Sequence, residues 1–107
     1  LYKLKKNYKL ILLSNTDEIH FTYCKEKYKV LDIFVDFILS YKIGHRKPNP
    51  LIYLSALKKA KTFPSHILYI DDIHRFVKTV KFFGIKSIQY KNIQKLKSDL
   101  KRINVEI

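Results

Sequence analysis

Polar residues close off a series of short apolar runs along this chain. Leu10–Leu13 ends at Ser14-Asn15-Thr16-Asp17, Phe37–Leu39 at Ser40, and Ile67–Ile70 at Asp71-Asp72. Continuous apolar runs of this length predict buried strands covered on both faces. Ile85–Tyr90 predicts a fourth short strand. Between the runs the apolar spacing turns helical. Glu18–Lys29 carries Ile19, Tyr23 and Lys27 at four-residue intervals, and Leu51–Lys61 carries Ile52, Leu54, Ala56, Leu57 and Ala60. His74–Phe83 is predicted to turn Phe76, Val77, Val80 and Phe83 inward, and Ile93–Arg102 has a stripe of Ile93, Leu96, Leu100 and Ile103. Leu1–Lys9 reads as a helix tail with a weak stripe (Leu1, Leu4, Tyr8) and a basic connector; Val30–Val35 reads as a helical turn or loop.

The punctuation agrees with these boundaries. Pro48 and Pro50 flank one residue and bar a helix or central strand from running through, while Pro50 suits the first turn of the following helix. Thr62–Ser65 makes a turn, Gly84 suits the left-handed stop of a helix, and Asn92 suits a helix cap. Strand and helix alternate four times, which predicts an α/β fold with a mostly parallel sheet flanked by helices. No repeat or linker divides the chain, so residues 1–107 are expected to form one domain or part of one.

Composition narrows the classes. At 47% hydrophobic residues, with 2 Gly and 3 Pro, the chain can build a core and is not low-complexity. No apolar run approaches the length of a membrane span, and no signal-peptide pattern opens the sequence. The formal charge is +13, carried by 22 Lys and Arg residues. Nineteen of these are Lys, scattered along the chain, and three are Arg. Scattered lysines predict a solvated surface ahead of a nucleic-acid partner, since planar bidentate phosphate contacts favour Arg. The single Cys24 excludes an intrachain disulfide and a cysteine zinc cluster. A half-buried helical thiol in a reducing, cytoplasmic setting is expected. His20, His45, His66 and His74 show no metal-ligand spacing.

The candidate chemistry starts at Asp71-Asp72. Adjacent carboxylates repel and call for a cation, a proton or strong donors. At the carboxyl end of a parallel strand, where open α/β sheets bind ligands, a hard divalent cation such as Mg²⁺ meets that need; the plainer alternative is an acidic cap on the next helix. Ser14-Asn15 and Lys47 fall at the corresponding ends of other strands or in the loops just after them. A hydroxyl, an amide, an ammonium and a metal-binding acid pair together suit a phosphoryl group.

Leu12-Leu13-Ser14-Asn15-Thr16, Arg46-Lys47-Pro48-Asn49-Pro50 and Tyr69-Ile70-Asp71-Asp72 resemble, in order and spacing, the second, third and fourth motifs of the haloacid dehalogenase superfamily of hydrolases. Its small Mg²⁺-dependent phosphatases, whose third motif often reads Lys-Pro-x-Pro, are nearest in pattern, and the resemblance runs from about Lys9 to Tyr90. It implies that Ser14 hydrogen-bonds a phosphoryl oxygen, Asn15 shapes the phosphate pocket, and Lys47 holds the nucleophile and the transferring group together. It further implies that Asp72 binds Mg²⁺ directly, with Asp71 binding beside it or through water. The implied substrate is a small phosphate monoester.

The first motif of that superfamily, an Asp-x-Asp that supplies nucleophile and general acid/base, occurs nowhere in these 107 residues. Ile73 and Phe76 also stand where related phosphatases often carry a small polar residue and an Asn. The family's first strand lies centrally, between the strands ending at Ser14 and Asp71, and the cap follows it. The expectation is therefore the carboxyl-terminal portion of a core domain that lacks the central strand and cap. Such a chain would be inactive until an upstream segment completes it. The alternatives are a degenerate, non-catalytic interaction module and, less favoured, a basic nucleic-acid binder.

Overall fold

The computed structural model describes residues 1–105. The chain divides into two units, Leu1–Lys59 and Ala60–Ile107. The first contains α1 (Tyr2–Lys5), β1 (Ile11–Ser14), α2 (Glu18–Lys27), a 3-10 helix (Lys29–Ile33), β2 (Asp36–Leu39), α3 (Ser40–Ile43) and all but the last residue of α4 (Pro50–Ala60). The second contains a 3-10 turn (Pro64–His66), β3 (Leu68–Asp71), α5 (His74–Val80), a second 3-10 turn (Lys81–Phe83), β4 (Lys86–Gln89) and α6 (Ile93–Arg102). The alternation of strand and helix expected from the sequence is present. Among the described residues no helix is long and apolar enough to cross a membrane.

In the first unit β1 pairs in parallel with β2, in the register Ile11↔Asp36 through Ser14↔Leu39. A parallel neighbour needs a long crossover, supplied here by α2 and the 3-10 helix. Ile33, Ile38, Leu39, Ile52 and Tyr53 form the buried apolar set, with Leu4 of α1. Asp17 caps α2 by accepting the His20 N–H at 2.7 Å. The four-residue spacing of Ile19 and Tyr23 correctly marks a helix but not its inner face: Ile19 is 85% exposed and Tyr23 53%. Phe21 does the packing instead, edge-on to Phe37 of β2 at 5.3 Å. Lys25 covers the same ring at 5.4 Å while pairing with Asp32. A tertiary neighbour thus selects a different stripe of the helix from the one periodicity suggests.

In the second unit β3 pairs in parallel with β4, from Leu68↔Lys86 to Asp71↔Gln89, and α5 packs against both strands. Phe76, Val77 and Val80 are buried with Ile85, Ile88 and Leu100. Gly84, at φ +76°, ends the turn after α5 in the left-handed region, so the expected helix His74–Phe83 is α-helical only to Val80 and tightens to 3-10 beyond it. Asn92 caps α6 through the Lys95 N–H at 2.8 Å. Of the stripe predicted on α6, Leu100 is buried, Leu96 and Ile103 are half-buried, and Ile93 is exposed.

The predicted two-sided cover of the β1 and β3 runs is not found. Every residue of both strands is half-buried. Each strand belongs to a two-stranded sheet and so has a ladder partner on one side only, among the described residues. An open edge withholds the neighbour that would shield the apolar residues.

Among the described residues of the second unit one carboxylate is buried. Asp99 of α6 accepts from Lys95 Nζ at 2.6 Å and lies 3.2 Å from Arg102. The Lys95 hydrogen bond, helped by the charges of Lys95 and Arg102 and opposed by burial, holds the Asp99 carboxyl below its ordinary value of 3.8. A depressed folded-state pKa stabilises the fold above the unfolded value and ceases to do so as pH falls through the folded one. Lys95→Ala is therefore expected to lower the melting temperature at neutral pH, and the gap to the unsubstituted protein should close as pH falls through and below the depressed Asp99 pKa. Thermal unfolding across that range checks this, and a gap that persists at low pH contradicts it.

Candidate functional site

The first unit brings together two of the loops singled out in the sequence. Ser14 ends β1, half-buried and paired with Leu39. Asn15 follows and reaches across 32 residues to Lys47. Its Oδ1 accepts the Lys47 N–H at 2.7 Å, and its Nδ2 donates to the Lys47 carbonyl at 3.2 Å. A side-chain amide matches the donor and acceptor of one backbone residue, so a single Asn clamps the main chain of Lys47 from both sides. The Lys47–Pro48 peptide is cis. Asn49 then accepts the Leu51 N–H at 2.9 Å, and α4 starts at Pro50, as its ring predisposes.

Ser40 was not legible as part of this assembly. It is buried directly after β2, where its Oγ accepts the Thr16 N–H at 2.8 Å and donates to the Thr16 carbonyl at 2.9 Å. The loop leaving β1 is thus tied at consecutive residues, Asn15 to Lys47 and Thr16 to Ser40. The available signal was a hydroxyl placed immediately beyond the buried pair Ile38-Leu39, where only a satisfied polar group is tolerated.

The acid pair lies in the second unit, Asp71 as the last residue of β3 and Asp72 just after it. Asp71 accepts from the Tyr69 hydroxyl at 2.5 Å and from the Ile73 N–H at 3.1 Å, one bond to each carboxylate oxygen. Tyr69 stands two residues earlier and so on the same face of the strand; the sequence alone did not mark it. The Tyr90 N–H donates to the Asp71 carbonyl at 2.8 Å, and Gln89 donates to the Asp72 carbonyl at 3.1 Å. The Asp72 side chain is exposed. The plainer reading of the pair as a helix cap does not describe α5, whose cap residue is Ile73, with no capping side chain.

The donor set suits a hard cation in kind, since both groups are carboxylates. No cluster of three or more His, Cys, Asp or Glu residues occurs among the described residues. Mg²⁺ is commonly held by one or two carboxylates, with waters and phosphate oxygens completing the shell, so two adjacent acids fit that ion. The side chains of Ile73 and Phe76 bring no polar group to the acid pair: that of Ile73 is exposed and that of Phe76 is buried in the apolar set.

Parallel strands alternating with helices, with polar loops at the strands' carboxyl ends, define an α/β fold. The chain belongs to the haloacid dehalogenase-like hydrolase family, whose model matches residues 1–78. It is 33% identical over 95 residues to D-ribitol-5-phosphate phosphatase of Bacteroides thetaiotaomicron, covering 83% of this chain and 46% of that protein. A haloacid dehalogenase family enzyme of the same organism, solved with magnesium and inorganic phosphate, superposes with a TM-score of 0.76 at 32% identity. That superposition covers 83% of this chain and 48% of the enzyme. A putative hydrolase of the family from Bacillus subtilis, bound to magnesium, shares the fold, with a TM-score of 0.81 at 15% identity over 96% of this chain and 52% of its own. The chain spans less than half the length of the curated relatives it matches.

Proposed function

We propose that the protein is a Mg²⁺-dependent phosphatase of small phosphate monoesters whose nucleophile lies outside these 107 residues. The observation that carries the reading is the two-sided clamp of Asn15 on Lys47. It joins the two loops that the family resemblance assigns to the phosphoryl group. The ammonium of Lys47 neutralises charge on the transferring group, the Ser14 hydroxyl donates to one of its oxygens, and Asn15 acts mainly by holding Lys47 in place. Asp72 ligates the cation, with Asp71 beside it, and the cation supplies charge neutralisation at the phosphoryl oxygens. The net reaction takes up one water and yields an alcohol and inorganic phosphate. A carboxylate nucleophile and a general acid are still needed, and the family places both on an Asp-x-Asp that this sequence lacks. Among the described residues β1 has a ladder partner on one side only, and that edge supports an additional strand as its carrier.

The test is to read the coding DNA ahead of Leu1 and to express the chain with the strand found there. Magnesium-dependent phosphate release from p-nitrophenyl phosphate is expected from that longer protein and not from the 107 residues alone. An upstream sequence without Asp-x-Asp, or steady turnover by the 107 residues alone, overturns the proposal.

A further inference from the structure

Two phenylalanine rings stand clear of the protein at the end of the second unit away from the acid pair. Phe63 is 73% exposed and Phe82 85%. Phe63 leads into the 3-10 turn before β3, and Phe82 is the middle residue of the one before β4, so both lie beyond the amino ends of these parallel strands. A backbone bond closes each turn: the His66 N–H donates to the Phe63 carbonyl at 2.9 Å, and the Gly84 N–H to the Lys81 carbonyl at 3.1 Å. The two turns adjoin. A methyl group on Gly84 would lie 3.6 Å from Cβ of Pro64, and the Pro64–His66 turn packs against β4.

Lysines flank both rings. Lys61 precedes Phe63 by two residues, Lys81 adjoins Phe82, Lys78 sits one helical turn before it, and Lys86 opens β4; all four are exposed. No acidic residue occurs between Ala60 and Ile70 or between Ile73 and Ser98. Of the remaining acids of the unit, Asp71 and Asp72 stand at the carboxyl end of β3 and Asp99 is buried and paired with Lys95 and Arg102. Glu106 lies outside the described residues.

We propose that this end of the second unit docks on an anionic lipid bilayer. Phe63 and Phe82 enter the boundary between headgroups and acyl chains, and the four lysines meet the anionic headgroups. A dock of this kind needs no spanning segment. One exposed Phe calls for no partner; two on adjoining turns, amid charges of one sign, do. Neither ring belongs to the buried apolar set of the unit, so folding gives no reason for them. Other occupants fit less well. A second copy would set the same lysines against each other. A protein partner of ordinary size covers about 800 Å² per side, whereas two phenylalanines supply at most about 400 Å². A ring that stacks on a base rests its other face on the protein, which Phe82 at 85% exposure does not. Docking at the amino ends of β3 and β4 leaves Asp71 and Asp72 on the side away from the lipid charge. The inference is independent of the phosphatase reading.

The sequence has no Trp, so Phe82→Trp introduces a single indole at the surface in question. Its emission should shift to the blue with vesicles of phosphatidylcholine and phosphatidylglycerol and stay unchanged with phosphatidylcholine alone. In sedimentation with the mixed vesicles at physiological ionic strength, Phe63→Ser and Phe82→Ser should each weaken binding by about ten-fold. Lys78→Gln and Lys81→Gln combined should weaken it by about twenty-fold. Lys3→Gln and Lys5→Gln combined remove the same charge from exposed positions on α1 and should leave binding unchanged. Because both rings are exposed, neither serine variant disturbs the core. An indole unshifted by the mixed vesicles, equal losses from the two lysine pairs, or full binding by the serine variants overturns the proposal. So does an indole quenched by a single-stranded oligonucleotide and unmoved by vesicles, which assigns this end to nucleic acid. Concentration-dependent dimerisation abolished by Phe82→Ser also overturns it and assigns the end to a second copy.

Discussion

Asp72→Asn is expected to weaken magnesium binding by about a hundred-fold, and Asp71→Asn by only about ten-fold, the lower end of losses seen when a supporting partner is changed. The difference follows from what each carboxylate already does. Asp71 has a hydrogen bond on each oxygen, from Tyr69 and from the Ile73 N–H, so much of its negative charge is engaged within its own strand and turn. Asp72 is exposed. Tyr69→Phe isolates the contribution of the first bond. It should lower affinity less than Asp71→Asn, because the Ile73 N–H still orients the carboxylate. Calorimetric titration of magnesium into the three variants gives the ordering directly. Equal losses for Asp71→Asn and Asp72→Asn, or normal binding by Asp72→Asn, would remove Asp72 from the role of principal ligand.

Lys47→Ala and Asn15→Ala are expected to be damaging for different reasons. In the protein supplied with its nucleophile, Lys47→Ala should lower kcat by about 10²–10³-fold, the usual cost of removing one group that stabilises transition-state charge. Asn15→Ala leaves the ammonium in place but removes both bonds to the Lys47 main chain. A part-buried N–H and C=O then lose their partners, at a cost of about 1–3 kcal/mol in stability, and kcat falls because Lys47 is no longer held in register. Denaturant unfolding run beside the kinetics separates the two. Lys47→Ala should lose activity out of proportion to stability, and Asn15→Ala should lose both. An Asn15→Ala protein of undiminished stability would mean that the clamp does not hold the loops.

The helices and their ends were legible because their signals are local. Pro50 opens α4, Asp17 and Asn92 accept N–H groups three residues ahead, and Gly84 takes the left-handed conformation that stops a helix. Each involves neighbours within one turn of the chain, and a pattern of residue types is enough to specify it. The three motif-bearing loops were likewise visible as residue types at the ends of apolar runs. Which side chains serve each other was not. Ile19 and Tyr23 have the right spacing to be a core stripe, yet Phe21 takes that part because Phe37 of β2 is the ring available to it.

The order of strands and helices, the parallel α/β class and the positions of Ser14, Asn15, Lys47, Asp71 and Asp72 at or just beyond strand ends are all written in short-range patterning, since periodicity and punctuation act over a few residues. Tertiary structure decided the rest: the clamp of Asn15 on Lys47 across 32 residues, the bond of Ser40 to Thr16 across 24, and the half-exposure of β1 and β3. These depend on which backbone groups meet in space and on which edge a neighbouring strand occupies. Chain spacing does not encode such meetings, because a polar residue offers the same donors and acceptors to any partner the fold brings within reach.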